Sequence, residues 1–108
     1  WDPPFAQALS KHCPDGLNGY LTMREAAQNG PLPAKTRELI FMILDSIDNE
    51  VSGACAHAAT AVEAGMTVEE IVQTFVIVTI VRGINVLCMA RAEAIQTAEK
   101  KADELGKK

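Results

Sequence analysis

The chain has 108 residues, of which 48% are hydrophobic and 22% charged, with a formal net charge of -4. That length and balance predict one globular domain with a real core, short of the usual size for a self-contained catalytic cleft, so a second copy of the chain is an expected partner. They exclude a basic surface for nucleic acid, and the few scattered aromatics, Phe5, Phe41, Phe75, Trp1 and Tyr20, offer no stacking platform for single strands.

In chain order the pattern is helical almost throughout. Residues 4 to 11 and about 15 to 28 read as two short helices separated by the turn chemistry of "CPDG", the second ending at Asn29-Gly30. A third helix is expected from about Pro33 to Ile47, with Leu39, Ile40, Ile43, Leu44 and Ile47 forming one apolar face. Asp48 and Asn49 break it. A fourth runs from about Glu50 to Ala64 and stops at Gly65, the residue best suited to a left-handed helix end.

"MTVEEI" carries the clearest local signal. Thr67 is the expected N-cap, Glu70 completes a capping box, and Met66 staples against Ile71. That fifth helix should reach about Val81. Gly83 marks a bend, and a last helix from about Ile84 ends in "KKADELGKK", whose basic residues suit a helix C-terminus. No β pattern and no repeat is visible. Phe75 to Ala90 is strongly apolar but interrupted by Arg82, Gly83 and Asn85, which leaves two arms too short to cross a bilayer; it reads as a buried helix pair.

The three cysteines, at 13, 55 and 88, are odd in number and far apart, which argues against a disulfide framework or a thiolate zinc site. A reducing, cytoplasmic setting fits. The chain opens at Trp1 instead of methionine, which leaves room for a removed leader.

Chemistry concentrates in "SGACAHAATA", residues 52 to 61. Cys55 and His57 stand two apart, so on a helix they point about 200° from each other and form no local nucleophile pair. Cys55 shares a stripe with Val51, Ala58, Ala59 and Val62 and reads as a small core hydrophobe. His57 lies on another face with Glu50, Ala54 and Ala61, nearly empty of bulk, where either a ligand or a neighbouring helix can approach the imidazole. Gly53 inside the helix suggests close backbone approach. Glu38 and Glu50 both suit the first turn of a helix, where the dipole favours a carboxylate. Arg82, in apolar surroundings, needs an anion: an internal or intersubunit acid, or a carboxylate-bearing ligand. There is no glycine-rich phosphate loop, no serine elbow and no ligand set at metal spacing, so neither a dedicated metal site nor a nucleotide site is expected.

The run from "GPLPAKTRELI" through "HAATAVEAGMTVEEI" to "ARAEAI" resembles the carboxymuconolactone decarboxylase family, which includes the alkylhydroperoxidase D-like proteins. The resemblance covers roughly residues 30 to 97, and more loosely the N-terminal helices. It rests on "K-T-R-E-L" ending its motif at Glu38, on His57, and on "A-x-x-A-G-x-T-x-E-E-I" placed so that Gly65 follows that histidine by eight residues. It implies an all-α bundle of about six helices, assembled as a homo-trimer or hexamer, with a pocket near the histidine. The peroxidase-like branch carries a CxxC ahead of the histidine; Glu50 and Gly53 occupy those positions here, and Cys55 stands two residues beyond the second. The decarboxylase branch also lacks the cysteines while keeping the glutamate and histidine. The resemblance therefore implies a cofactor-free decarboxylase-like lyase of a small carboxylate or lactone. His57 would be the acid–base group, Glu38 its orienting partner and Glu50 a pocket carboxylate, with Arg82 and Gly53 holding substrate. The alternatives are a non-catalytic oligomeric module that binds a small molecule or a protein, and a thiol-dependent peroxide reductase using Cys55. Neither a nucleic acid nor a membrane is an expected partner.

Overall fold

A computed structural model describes residues 3–84 and 92–106. The described residues contain six helices and no strand: α1 (Pro4–His12), α2 (Pro14–Gln28), α3 (Ala34–Ile47), α4 (Val51–Glu63), α5 (Val68–Arg82) and α6 (Ala92–Glu104). They fall into two compact units, Trp1–Pro31 and Leu32–Lys108. None of the described helices is long and apolar enough to cross a membrane.

In the first unit, the "CPDG" segment is not the turn its composition suggests. The break is the single residue Cys13, which caps α1 and opens α2 with φ -156° and ψ 71°. Pro14 takes the first helical position of α2, where its missing N–H removes no hydrogen bond, and Gly16 is drawn into the helix. The rings of Phe5 and Tyr20 meet edge to face at 5.5 Å, joining α1 to α2. Arg24 Nη1 donates to the Tyr20 hydroxyl at 3.1 Å, one turn along α2.

The second unit packs α4 between α3 and α6, with α5 against α6 and α3. Its core is Met42, Ala54, Ala58, Ala61, Val62, Met66, Ile71, Phe75, Ala94, Ala98 and Ala102. The inward stripe of α3 is Leu39, Met42 and Ser46, not the Leu39–Ile43–Ile47 side with Ile40 and Leu44, both of which are exposed. A serine is tolerated there because its hydroxyl donates to the Met42 carbonyl at 2.7 Å. Cys55 and Val51 likewise lie off the buried face of α4: the core takes Ala54, Ala58, Ala61 and Val62, Cys55 is half-buried and Val51 exposed.

The punctuation between helices follows from local chemistry. Asn49 turns the chain out of α3 at φ 60°, a conformation asparagine tolerates better than most residues. Gly65, at φ 108°, ends α4 in a Schellman motif: Met66 N–H reaches the Ala61 carbonyl and Gly65 N–H the Val62 carbonyl, each at 3.0 Å. The capping box is formed in full, Glu70 N–H to Thr67 Oγ1 at 3.1 Å and Thr67 N–H to Glu70 Oε1 at 2.9 Å. Met66 and Ile71, the staple pair, are both buried in the same core.

The expectation of a buried apolar pair after Phe75 is corrected in α5. Ile71, Phe75 and Val78 face the core, but Ile80 is 80% and Val81 78% exposed, with Val72, Val76 and Ile77 also uncovered. A helix that is apolar all round has more greasy surface than one four-helix unit can bury. The expected start of the last helix near Ile84 falls mostly outside the described residues, as does Cys88.

Candidate active site on helices α3 and α4

Glu38, Phe41 and Asp45 stand at i, i+3 and i+7 on α3 and so share one face; Gly53 and His57, at i and i+4, share one face of α4. The packing of α3 on α4 brings these two faces together. His57 Nδ1 lies 2.9 Å from Glu38 Oε2. A carboxylate can only accept, so Nδ1 carries the hydrogen and Nε2 is left as the working nitrogen. The ring of Phe41 stacks on the imidazole, centroids 4.8 Å apart and planes inclined by 23°, which fixes the tilt of the ring about the axis the glutamate holds.

On its other edge, His57 Nε2 is 3.7 Å from Asp45 Oδ2. The imidazole therefore sits between two carboxyl groups, and they differ in environment: the Glu38 side chain is 12% exposed and that of Asp45 32%. Burial pushes the Asp45 carboxyl above its ordinary range; the positive charge of His57 opposes that rise, and the nearby charges of Glu50 and Asp48 add to it.

Of the residues singled out in the sequence, Glu38 and His57 are thus in direct contact. Gly53 belongs to the same face, but its open side is not free for a substrate: the Asp45 carboxyl fills it, Asp45 Cγ lying 2.9 Å from where a Cβ would stand. Glu50 is the residue before α4, exposed, and its side chain makes no capping hydrogen bond; its backbone N–H closes the turn on the Asp45 carbonyl at 2.7 Å. Arg82 is exposed at the last turn of α5, against the expectation of burial, because the apolar face around it is uncovered in the single chain; it forms no ion pair among the described residues. Cys13 and Cys55 are free thiols, and Cys55 lies off the face that carries His57. Among the described residues no cluster of His, Cys, Asp and Glu has the geometry to hold a metal ion.

Asp45 and Phe41 escaped the sequence reading. Their spacing, three and seven residues after Glu38, puts them on its face of α3, but which side of α4 that face meets depends on the packing of the two helices.

The family model for the carboxymuconolactone decarboxylase family matches residues 14–96. The chain is similar to the "putative carboxymuconolactone decarboxylase" of Burkholderia xenovorans LB400, whose crystal structure superposes with a TM-score of 0.84 at 28% identity, over 96% of this chain and 82% of that one. No curated protein matches the sequence.

Proposed function

The chain belongs to the carboxymuconolactone decarboxylase family, and from that premise we propose that it is a cofactor-free lyase that removes the carboxylate of a small unsaturated lactone or related acid, with His57 as its acid–base group. The observation that carries this reading is the 2.9 Å bond from His57 Nδ1 to Glu38, which fixes the tautomer and presents Nε2 for proton transfer. In such a substrate the C–C bond to the carboxylate breaks, carbon dioxide leaves, and the electron pair delocalises into the substrate's own unsaturated carbonyl. His57, taking part as the imidazolium with its Nδ1 hydrogen held by Glu38, then delivers the Nε2 proton to carbon, the N–H electron pair staying on nitrogen and leaving the neutral ring. The protein has only to orient the acid and supply that proton. Arg82, exposed and cationic, is the group this reading assigns to a substrate carboxylate, and the uncovered face of α5 is the surface it assigns to further copies of the chain, as a trimer or hexamer.

The test is decarboxylation of carboxymuconolactone, with peroxide reduction by a dithiol run alongside, on the wild type and on two variants. His57→Gln should abolish lactone turnover while leaving the helical circular dichroism intact. Glu38→Gln, which removes a charge-assisted hydrogen bond, should lower kcat roughly 10- to 100-fold. Lactone turnover that survives His57→Gln would overturn the reading.

A further inference from the structure

Asp45 is an acid that no requirement of helix formation explains. It lies in the last turn of α3, where the dipole disfavours a carboxylate, and it points across to α4 instead of into solvent. Opposite it, α4 carries a glycine two residues into its first turn, which lowers the stability of that helix relative to alanine. These two unfavourable choices answer each other. The three nearest atoms that a Cβ at position 53 would meet all belong to Asp45, and Oδ2 overlaps the Cβ position itself. The same Oδ2 is the atom 3.7 Å from His57 Nε2, one turn further along α4.

We propose that Asp45 is a positioning residue of the site, holding the proton that His57 Nε2 passes on, and that position 53 is glycine to admit the Asp45 carboxyl to that edge of the ring. The step is a transfer along one line. After Nε2 has given its proton away, the O–H bond of Asp45 breaks, a new N–H bond forms at Nε2, and the carboxylate keeps the electron pair. Asp45, the more exposed of the two acids, is then reprotonated by hydronium or buffer acid in the solvent, which supplies the one proton the overall reaction consumes. The separation of 3.7 Å closes by a small side-chain movement or through one bridging water. The groups that bear on Asp45 are His57 from α4, Glu50 from the turn and Asp48 from the end of its own helix, with Glu38 holding the far side of the ring. Burial, joined by the charges of Glu50 and Asp48 and opposed by that of His57, moves the Asp45 carboxyl in the direction of the acid that the transfer uses.

This inference rests on the reading of His57 as the acid–base group, but its first test does not need a substrate. In a nuclear magnetic resonance titration of the resting protein, the His57 ring resonances should show a second inflection at the pH where the Asp45 carboxyl titrates. Asp45→Asn should remove that inflection. Gly53→Ala should remove it too, with the Asp45 carboxyl returning toward its ordinary range, and the double variant should add nothing further. If Gly53→Ala leaves the Asp45 titration unchanged, or the His57 ring ignores the Asp45 step, the proposal falls. With carboxymuconolactone as probe, Asp45→Asn should lower kcat about tenfold or more, shift the alkaline limb of its pH profile, where the carboxylic acid would lose its proton, and leave KM in place. Turnover that requires His57 but keeps its wild-type pH profile in Asp45→Asn would sink this proposal and spare the lyase reading. Coupled titration without lactone turnover would do the reverse.

Discussion

Three alanines of α4 and three of α6 line one core: Ala54, Ala58, Ala61, Ala94 and Ala98 are fully buried and Ala102 is 7% exposed. Since α4 packs directly on α6, the perturbation to make is Ala98→Leu, on the helix that does not carry the site. If the seam had slack, three added carbons would contribute about 2.4 kcal/mol of burial, at about 0.8 kcal/mol each. It has none at a residue with no exposed surface, so the helices must part or the leucine must leave its preferred rotamer. Overpacking of that kind costs about 1 to 3 kcal/mol. For a chain of about 100 residues, that lowers the melting temperature by about 4 to 8 °C per kcal/mol. The assay is urea and thermal unfolding followed by circular dichroism, at fixed protein concentration because self-association would shift the midpoint. An unchanged or raised midpoint would refute the argument that small residues are what let these helices approach.

Other predictions concern charge and assembly. Thr67→Ala, which removes the hydroxyl that caps α5, should cost about 1 kcal/mol in the same urea experiment. The Glu70 half of the box is acid-sensitive: the Thr67 backbone N–H, with Lys35 helping, holds that carboxyl below its ordinary range. Its contribution is present above the ordinary value and lost as pH falls through the lowered one, so Glu70→Gln should flatten that part of the acid unfolding curve. Asp45 has the opposite sign. Its raised pKa means the folded chain binds the proton more tightly, so its contribution to stability declines as pH rises from the ordinary carboxylate value through the raised one. Asp45→Asn should therefore be more stable than wild type near neutrality, with the gap closing below the carboxylate range; a gap independent of pH would contradict this. Ile80→Glu, on the uncovered face of α5, should reduce the particle mass seen by light scattering toward that of one chain.

The helices were legible because their ends carry local chemistry: Thr67 with Glu70, Gly65, and Asn29 all act within one turn of themselves. Two misreadings share a cause. "CPDG" reads as a turn because proline and glycine break helix interiors, yet at the first helical position proline breaks nothing. The spacing of Leu39, Ile40, Ile43, Leu44 and Ile47 predicts one apolar face for α3, whereas the core selects Met42 and Ser46 and leaves Leu44 exposed. Which stripe faces inward depends on the neighbour, and no count along one helix contains the neighbour. The site divides in the same way. Glu38 and His57 could be singled out through the family resemblance, but Asp45 emerges only when the glycine on one helix is laid against the acid on the other.

That pairing also explains why residues 52 to 61 are so small. One face of α4 must let α6 in close, which the alanines do; the adjoining face must let α3 in close, which Gly53 does, so that Glu38, Phe41 and Asp45 reach a ring fixed on a rigid helix. Within this frame, two chemically similar acids flank one imidazole and are told apart by their surroundings. The one that is 12% exposed makes the short bond and has little access to water, which suits it to hold a tautomer. The one that is 32% exposed stands further off, is pushed toward its protonated form by burial and by neighbouring acids, and can exchange with solvent, which suits it to hold and return a proton.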